Sequence, residues 1–326
     1  MKKILIIQTA SIGDVILATP VVEKLHVFYP EAQIDLLVKK GNETLFSGHP
    51  FLHEALVWDK RSHSLLNFDK LLHRVVRSHY NLVVNLQRFF LTGLMTVFSG
   101  AGMTIGFDKN PMSPFFKRRI YHKLDGIHEI QRNLSLVEGI TDSSTVKPRL
   151  YPSPGDFSHV EFLKSTQYYT MSPASLWFTK QFPVEKWVDL VKRIPAGAAA
   201  YLLGAGPDQP LCEEIIAKAA HPGVKSLAGQ LTFLQSAALM QDARMNFTND
   251  SAPMHFASAV NAPVTAIYCS TIPGFGFGPL SDDSRIVEIE GALACRPCGL
   301  HGYRSCPEKH FRCAIDIRVE QPAARL

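Results

Sequence analysis

Polar residues that suit anion binding are concentrated where a buried strand gives way to a helix, late in the chain. The sequence reads Asn249-Asp250-Ser251, and Pro253 then opens an apolar segment with helical periodicity. His255 follows Ser251 by four residues, so both face the same side of the first turn. Backbone N–H groups and the helix dipole at such a junction attract phosphate. An ordinary capped helix has the same pattern, and the Asp250 carboxylate would repel a phosphate.

A second candidate group lies near the start of the chain. Residues 3–8, with the apolar run Ile4 to Ile7, predict a strand of a parallel sheet, and Ser11-Ile12-Gly13-Asp14 follows before a helical segment that Pro20 kinks or begins. Ligands of such sheets bind at the carboxyl ends of the strands, which places Ser11, Gly13 and Asp14 at a ligand site. A tight turn with Asp14 as a helix cap explains the same residues.

Basic residues crowd the first half of the chain. Residues 60–88 contain six Lys or Arg against Asp69 alone, and residues 109–124 contain five with no acid. Solvated helix faces are the ordinary interpretation. The run 117–123, beside two prolines, instead predicts a loop that becomes ordered on binding phosphate or carboxylate groups.

Strands and helices alternate along the chain, which predicts an α/β fold with doubly wound parallel sheets. The 326 residues suit two domains, and the Pro- and Gly-rich residues 151–155 suggest a boundary, giving domains 1–152 and 153–326. Residues 89–107 carry no charge, but Ser99-Gly100-Ala101-Gly102 divides them into a helix, a turn and a strand. We therefore expect no transmembrane helix, no signal peptide and a cytoplasmic protein.

Three separated motifs resemble those of the family 9 glycosyltransferases, the ADP-heptose:lipopolysaccharide heptosyltransferases. They are QTASIGDVILATPVVEKL from residue 8, SLWFTKQFP from residue 175, and residues 248–279, NDSAPMHF and its Gly-rich continuation. Ala252 stands where that family usually has Gly, so a methyl group narrows the approach to the ligand. The resemblance implies a GT-B-like fold, in which two Rossmann-like domains face each other across a cleft.

The resemblance also implies roles for single residues. Asp14 would be the general base, and Lys180 would offset the charge of the donor diphosphate. The donor-binding residues would lie in the C-terminal domain: Ser175, Thr179, Asp208, Thr232, Asp250, Ser251, Ala252 and His255. The acceptor-binding residues would lie in the N-terminal domain: Ser11, Gly13, Lys60, Arg61, Lys117, Arg118, Arg119 and His128.

Four cysteines near the C-terminus form a candidate structural zinc site. Their spacing is Cys295-x2-Cys298-x7-Cys306-x6-Cys313. One CxxC pair suits tetrahedral zinc, but the second pair is spaced too widely for a regular zinc ribbon. Free thiols in a reducing compartment remain the alternative.

The function implied is inverting transfer of a sugar, heptose above all, from a nucleotide-diphosphate donor such as ADP-heptose. The acceptor would be lipopolysaccharide core or a related phosphorylated or acidic glycolipid. No catalytic metal or other cofactor is required, no nucleic acid is bound, and we expect a monomer, peripheral at the inner face of the inner membrane. A nucleotide-sugar epimerase of similar architecture and a zinc-containing nucleic-acid-binding module are the alternatives.

Overall fold

The computed structural model describes residues 1–60 and 64–326. The chain forms two compact units, Met1–Tyr151 and Pro152–Leu326. The limits expected from the sequence, 1–152 and 153–326, differ from this division by one residue.

The N-terminal unit is built on a six-stranded sheet in which every neighbouring pair is parallel. The strand order is β3-β2-β1-β4-β5-β6. The strands are β1 (Lys3–Ile7), β2 (Gln33–Lys39), β3 (Leu52–Trp58), β4 (Leu82–Asn85), β5 (Met103–Phe107) and β6 (Arg118–Ile120). The helices are α1 (Ile12–Ile16), α2 (Thr19–Phe28), α3 (Ser64–Arg77), α4 (Phe90–Phe98) and α5 (Glu129–Ser135).

The C-terminal unit repeats this arrangement with another parallel sheet of six strands, ordered β12-β11-β10-β7-β8-β9. The strands are β7 (Tyr168–Ser172), β8 (Ala199–Leu202), β9 (Val224–Ser226), β10 (Met245–Asn249), β11 (Val264–Tyr268) and β12 (Ser284–Glu288). The helices are α6 (Pro154–Val160), α7 (Val184–Lys192), α8 (Gln209–Ala219), α9 (Phe233–Gln241), α10 (Ala252–Ala259), α11 (Arg312–Ile315) and α12 (Glu320–Ala323).

The first strand of each unit lies in the middle of its sheet. From β1 the chain moves outward through β2 and β3 and then returns to place β4 on the other side, and β7 and β10 are related in the same way. Loops leaving two such strands turn in opposite directions and open a crevice at their carboxyl ends. The sheet topology therefore fixes one ligand-binding position in each unit, between β1 and β4 and between β7 and β10.

The sequence signals for these elements have clear physical causes. Residues 4–7 of β1 are completely buried because helices cover both faces of the sheet. Pro20 lies in the first turn of α2, where its missing N–H costs nothing, so the expectation that Pro20 kinks or begins a helix is confirmed in its second form. The division of residues 89–107 is also confirmed, since α4 ends at Phe98 and β5 begins at Met103.

Two expectations about the uncharged and the basic segments can be compared with the structure. In residues 1–60 and 64–326, none of the helices has the length and apolar character needed to cross a membrane. The loop predicted at residues 117–123 is wrong in part, because Arg118, Arg119 and Ile120 form edge strand β6 and pair with β5. A polar three-residue strand has no apolar alternation, so the sequence pattern does not predict it.

We expect Gly93→Ala in α4 to destabilise the protein by about 1–3 kcal/mol. A Cβ at Gly93 would overlap the side chain of Asn110 and come within 2.8 Å of the Cβ of Met112. Asn110 cannot move freely, since its amide donates to the carbonyls of Gln87 and Phe89.

Thermal unfolding checks this prediction, with Gly155→Ala in α6 as the control. A Cβ at Gly155 would meet nothing closer than Ser153 Oγ at 3.6 Å, an ordinary contact. The control should therefore leave the melting temperature unchanged or raise it slightly. Equal melting temperatures for the two variants would contradict the packing inferred at Gly93.

Candidate functional site

Lys180 and Asp250 meet at the crevice position of the C-terminal unit. Lys180 follows β7, and Asp250 is the first residue after β10. The Lys180 Nζ atom lies 2.7 Å from Asp250 Oδ2, and both side chains are largely buried. The hydroxyl of Thr271 also donates to Asp250 Oδ2, at 2.6 Å. The carboxylate is thus held by one cation and one hydroxyl at the point where the topology places a ligand.

Thr179 lies under this ion pair and is 1% exposed. Its Oγ1 accepts hydrogen bonds from the backbone N–H of Tyr303 at 2.7 Å and from the hydroxyl of Ser270 at 3.0 Å. Its backbone N–H donates to the Tyr303 carbonyl, and its carbonyl accepts from the Ser270 N–H. The hydroxyl of Thr179 is therefore buried and bonded to the protein itself, and the role of Thr179 in lining the donor site stays a prediction.

The C-terminal loop, residues 291–313, packs against Thr179 and Lys180. Gly302 has a φ of +80°, and a Cβ there would lie 3.0 Å from Thr179 Oγ1 and 3.2 Å from Lys180 Cγ. Arg296 donates to the carbonyls of Cys269 and Thr271 and pairs with Glu288. The loop therefore forms one side of the structure that positions Lys180.

The other predicted donor-binding residues lie in loops and helix starts at the carboxyl edge of the same sheet. Asp208 follows β8 and accepts from the N–H of Ala205 at 2.8 Å. Thr232 follows β9 and caps α9 by accepting from the N–H of Gln235. The loops after β8 and β9 touch, since the Gly229 N–H donates to the Gly204 carbonyl. The remaining predicted residues are the half-buried Ser175, Ser251 and Ala252 and the buried His255.

Helix α10 begins without a side-chain cap, as α4, α7 and α8 also do. Ser11, Ser153 and Thr232 each accept a hydrogen bond from the first turn of the helix they precede. Ser251 precedes α10, but its side chain makes no capping hydrogen bond, in this fully described stretch of the chain. Its hydroxyl donates instead toward the Asn249 carbonyl at 3.5 Å. The first turn of α10 therefore lacks the side-chain acceptor that caps those three helices.

In the N-terminal unit, Asp14 and Lys60 lie at the same edge of the sheet. Asp14 is half-buried in α1, and its Oδ2 accepts from Ser11 Oγ at 2.5 Å and from the Ser11 N–H at 3.1 Å. Lys60 follows β3, and its Nζ donates to Thr9 Oγ1 at 2.9 Å and to the Thr9 carbonyl. Burial and the nearby Lys39 lower the pKa of Lys60. Gly13 is buried beneath the turn that carries Asp14.

A buried carboxyl group accompanies Asp14. Glu129 begins α5 and forms an ion pair with Arg132, whose guanidinium also donates to the Lys123 carbonyl at 2.6 Å. Burial raises the pKa of Glu129 to about 7; Arg132 opposes this rise, and the charge of Asp14 adds to it. His128 caps α5, with Nδ1 accepting from the Ile130 N–H. The sequence drew attention to His128, but not to Glu129 next to it.

Positive charges surround the buried His122 at this edge. Burial lowers the pKa of His122 to about 4, and Arg132, Arg88 and Lys109 lower it further. Arg88 directly follows Gln87, whose N–H is bonded to the strand-ending Asn85. The sequence counted Arg88 only among many basic residues, although its place just after a strand was the available signal.

The basic residues predicted to bind the acceptor in the run 117–123 are not gathered around Asp14. Lys117 precedes β6, and its Nζ donates to the carbonyl of Gly102, which precedes β5. Since parallel strands share their amino edge, Lys117 lies at the edge opposite Asp14, and this position does not favour its predicted place in the acceptor site. Arg118 packs against Gly139, and Arg119 is exposed on β6. Arg61 lies outside the described residues.

The four C-terminal cysteines are free thiols. Cys298 and Cys313 are close enough to the others for each thiol's charge to affect the pKa of its neighbours. Burial raises the pKa of Cys313 to about 12. Across residues 1–60 and 64–326, no three His, Cys, Asp or Glu side chains are arranged to hold a metal ion. The geometry therefore does not support the zinc site predicted from Cys295, Cys298, Cys306 and Cys313.

The fold and the crevice residues define a two-domain Rossmann-like protein of the GT-B class. Solved structures share this fold: E. coli ADP-heptose lps heptosyltransferase II has a TM-score of 0.82 at 24% identity, covering 100% of this chain and 97% of that one. E. coli heptosyltransferase WaaC with ADP has a TM-score of 0.70 at 18% identity, covering 87% and 92%.

The sequence comparisons supply the family. The model of glycosyltransferase family 9 (heptosyltransferase) matches residues 68–302. Lipopolysaccharide heptosyltransferase 3 of Escherichia coli is 27% identical over 277 residues, which is 79% of this chain and 81% of the relative. The chain belongs to glycosyltransferase family 9. The predicted GT-B fold and the predicted glycosyltransferase activity are thereby confirmed, and neither the epimerase nor the nucleic-acid-binding alternative is favoured.

We expect Thr179→Val to destabilise the C-terminal unit by about 1–3 kcal/mol, because the N–H of Tyr303 and the buried hydroxyl of Ser270 lose their acceptor. Thr179→Ser keeps the acceptor and should cost about 1 kcal/mol at most, for one lost methyl group. Denaturant unfolding of both variants checks this. Equal stability of the Val and Ser variants would show that the hydroxyl does not hold the loop.

We expect Glu129→Gln to change how stability depends on pH. The pKa of folded Glu129 is raised to about 7 from its ordinary 4.5, so the folded protein binds more protons between these values. Stability contributed by Glu129 is therefore present at low pH and is lost as the pH rises through about 7. From about pH 5 to about pH 8 the wild type should lose more stability than the Gln variant.

Denaturant unfolding at each pH measures this difference. The comparison concerns the slope with pH and not the absolute stability, because the Gln variant leaves the buried Arg132 without its carboxylate. Parallel pH profiles for the two proteins would contradict the raised pKa.

Proposed function

We propose that this glycosyltransferase transfers heptose, with inversion, from ADP-heptose to the core region of lipopolysaccharide or a related acidic glycolipid. The observation that carries the proposal is the equivalent placement of two chemical groups. Asp14 follows the central strand of one sheet, and Lys180 follows the central strand of the other. The relatives named as lipopolysaccharide heptosyltransferases and the neighbour solved with ADP support the choice of donor and acceptor.

The donor diphosphate is assigned to the C-terminal unit, at the start of α10. That helix has eight residues and begins without a side-chain cap, so its N–H groups and dipole favour an anion. Lys180 adds a positive charge at the adjacent strand end. Asp208, at the end of β8, is assigned to the ribose hydroxyls, which a carboxylate accepts from well.

The acceptor is assigned to the N-terminal unit. Lys60, Arg88 and Lys109 supply positive charge at the carboxyl edge that carries Asp14. This charge suits an acceptor that bears phosphate or carboxylate groups. Lys117 is not assigned to this role because it lies at the amino edge.

In the proposed reaction, Asp14 accepts the proton of the attacking acceptor hydroxyl. Both hydrogen bonds from Ser11 go to Oδ2, so we assign the base role to Oδ1. The acceptor oxygen then forms a bond to the anomeric carbon while the bond from that carbon to the diphosphate oxygen breaks. The departing ADP carries away the negative charge, which Lys180 and the first turn of α10 stabilise.

We also assign the enzyme to a membrane surface, at the face of the bilayer that presents the glycolipid acceptor. The support is chemical: a lipid-linked acceptor stays in the bilayer, so the protein must come to it. Peripheral binding meets this need without a spanning helix.

We expect Asp14→Asn to lower kcat for heptose transfer by about 10²- to 10⁴-fold, because the amide cannot take the acceptor proton. The measurement is transfer from ADP-heptose to purified core lipopolysaccharide. Asn keeps an oxygen that can accept from Ser11, so the helix cap is disturbed little. Thermal shift with ADP-heptose should show that the variant still binds the donor.

Asp156→Asn is the matched control, because Ser153 and Asp156 form the same capping box in the C-terminal unit. It should leave transfer unchanged. Wild-type turnover in Asp14→Asn would remove the base assignment, and loss of activity in both variants would trace the effect to helix capping.

A further inference from the structure

Helix α4 exposes several large apolar side chains although it also contributes to the core. Thr92, Gly93, Met95 and Thr96 are buried, and Leu94 packs against the same core cluster as Met95. Phe90 is 52% exposed, Leu91 38% and Phe98 57%, and Phe89 just before the helix is 61% exposed. A surface helix of a soluble protein ordinarily turns its large apolar side chains toward the core.

The inward face of α4 is fixed by specific contacts. Gly93 is placed where Asn110 and Met112 leave no room for a side chain. Thr96 Oγ1 accepts from Asn85 Nδ2 at 2.9 Å, at the end of β4. Rotating the helix to bury its phenylalanines would break this bond and drive a larger side chain into Asn110. The outward direction of the phenylalanines is therefore imposed by the packing beneath them.

One further loop extends the apolar surface beside α4. Tyr121 is 70% exposed and Leu124 58% exposed in the loop after β6. The three loops that follow β4, β5 and β6 are tied together at one edge of the sheet. Asn110 Nδ2 donates to the Phe89 carbonyl at 3.1 Å, and the His122 N–H donates to Asp108 Oδ1 at 2.9 Å. We call these exposed residues the α4 surface: Phe89, Phe90, Leu91, Phe98, Tyr121 and Leu124.

Cations outnumber acids around the α4 surface. At the edge where the three loops are tied together, the cations are Arg88, Lys109 and Lys123, and the acids are Asp108 and Asp125. Arg88, Lys109 and Lys123 lie in the three tied loops and are exposed. Aromatic side chains among cations are the combination that peripheral proteins insert into the headgroup region, and each cation near an anionic surface contributes about 1 kcal/mol. Charge complementarity therefore selects an anionic bilayer as the occupant.

We propose that the α4 surface docks on an anionic phospholipid bilayer, with Phe90 and Leu91 entering the headgroup region and the surrounding cations contacting lipid phosphates. The proposal rests on the proposed function in one respect: the lipid-linked acceptor is the reason to expect the enzyme at a bilayer. Docking there would bring the edge that carries Asp14 to the membrane that holds the acceptor. The α4 surface would thus bind the bilayer itself, whereas Asp14 would act on the hydroxyl of the acceptor sugar.

Flotation of the full-length protein with lipid vesicles tests this. Vesicles of phosphatidylcholine with phosphatidylglycerol should bind the wild type, and vesicles of phosphatidylcholine alone should bind it weakly. High salt should weaken the binding, because it screens the cations. The double substitution Phe90→Ser/Leu91→Ser should weaken it about tenfold or more, since burial of two large apolar side chains is lost.

Phe162→Ser is the matched control, since Phe162 is a phenylalanine of the C-terminal unit that is 73% exposed. It should leave vesicle binding unchanged. Phe98→Ser, tested alone, gives a second variant should the double substitution lower the melting temperature. Equal binding by the wild type and the α4 variants, or no binding by the wild type, would overturn the proposal. So would a wild-type dimer that the substitutions dissociate, because a second copy would then cover the surface.

Heptose transfer to a water-soluble, deacylated acceptor separates this proposal from the proposed function. The α4 variants should keep that activity while losing vesicle binding. If neither the wild type nor the variants transferred heptose, the proposed function would fail. The flotation result, which uses neither donor nor acceptor, would still decide the docking proposal.

Discussion

The buried carboxylate of Asp250 is the constraint on which the candidate donor site depends. A carboxylate at 6% exposure is costly unless a cation and hydrogen-bond donors compensate it. Lys180 and Thr271 supply these, so the loops after β7 and β11 must both close on the end of β10. Thr179 then ties the Lys180 loop to the chain at Tyr303. The C-terminal loop is therefore part of the structure that fixes the charge at this crevice.

The N-terminal unit also removes a carboxyl group from solvent, but the charge of this group is compensated less completely. Glu129 is also a buried carboxyl group, and its partner Arg132 spends part of its hydrogen-bonding capacity on the Lys123 carbonyl. Burial outweighs the attraction of Arg132, so the pKa of Glu129 rises to about 7. A proton on Glu129 removes one negative charge from the surroundings of Asp14. Ionisation of Glu129 therefore changes the potential at Asp14 within the pH range in which enzymes commonly work.

The sequence predicted what depends on neighbours along the chain and missed what depends on distant contacts. Pro20 is a local signal, and the helix start that it marks was predicted correctly. Strand β6 was missed because its polar residues acquire strand geometry only by pairing with β5. The burial of Thr179 depends on Tyr303, which is 124 residues away in the chain. Glu129 comes near Asp14 because α5 is bound to the chain just after α1, where Asn133 Nδ2 donates to the Leu17 carbonyl.

The ion pair also resolves a difficulty that the sequence raised, namely a carboxylate beside a proposed phosphate site. With Asp250 bonded to Lys180, the pair carries no net charge, and the donor diphosphate does not meet an isolated negative group. The first attraction for the anion then comes from the dipole and N–H groups of α10. In the proposed reaction Lys180 turns toward the diphosphate only as the leaving group becomes more negative, while Thr271 continues to donate to Asp250. In this proposal Asp250 holds Lys180 in position until negative charge develops on the leaving group. The positive charge of Lys180 then stabilises the transition state more than the ground state.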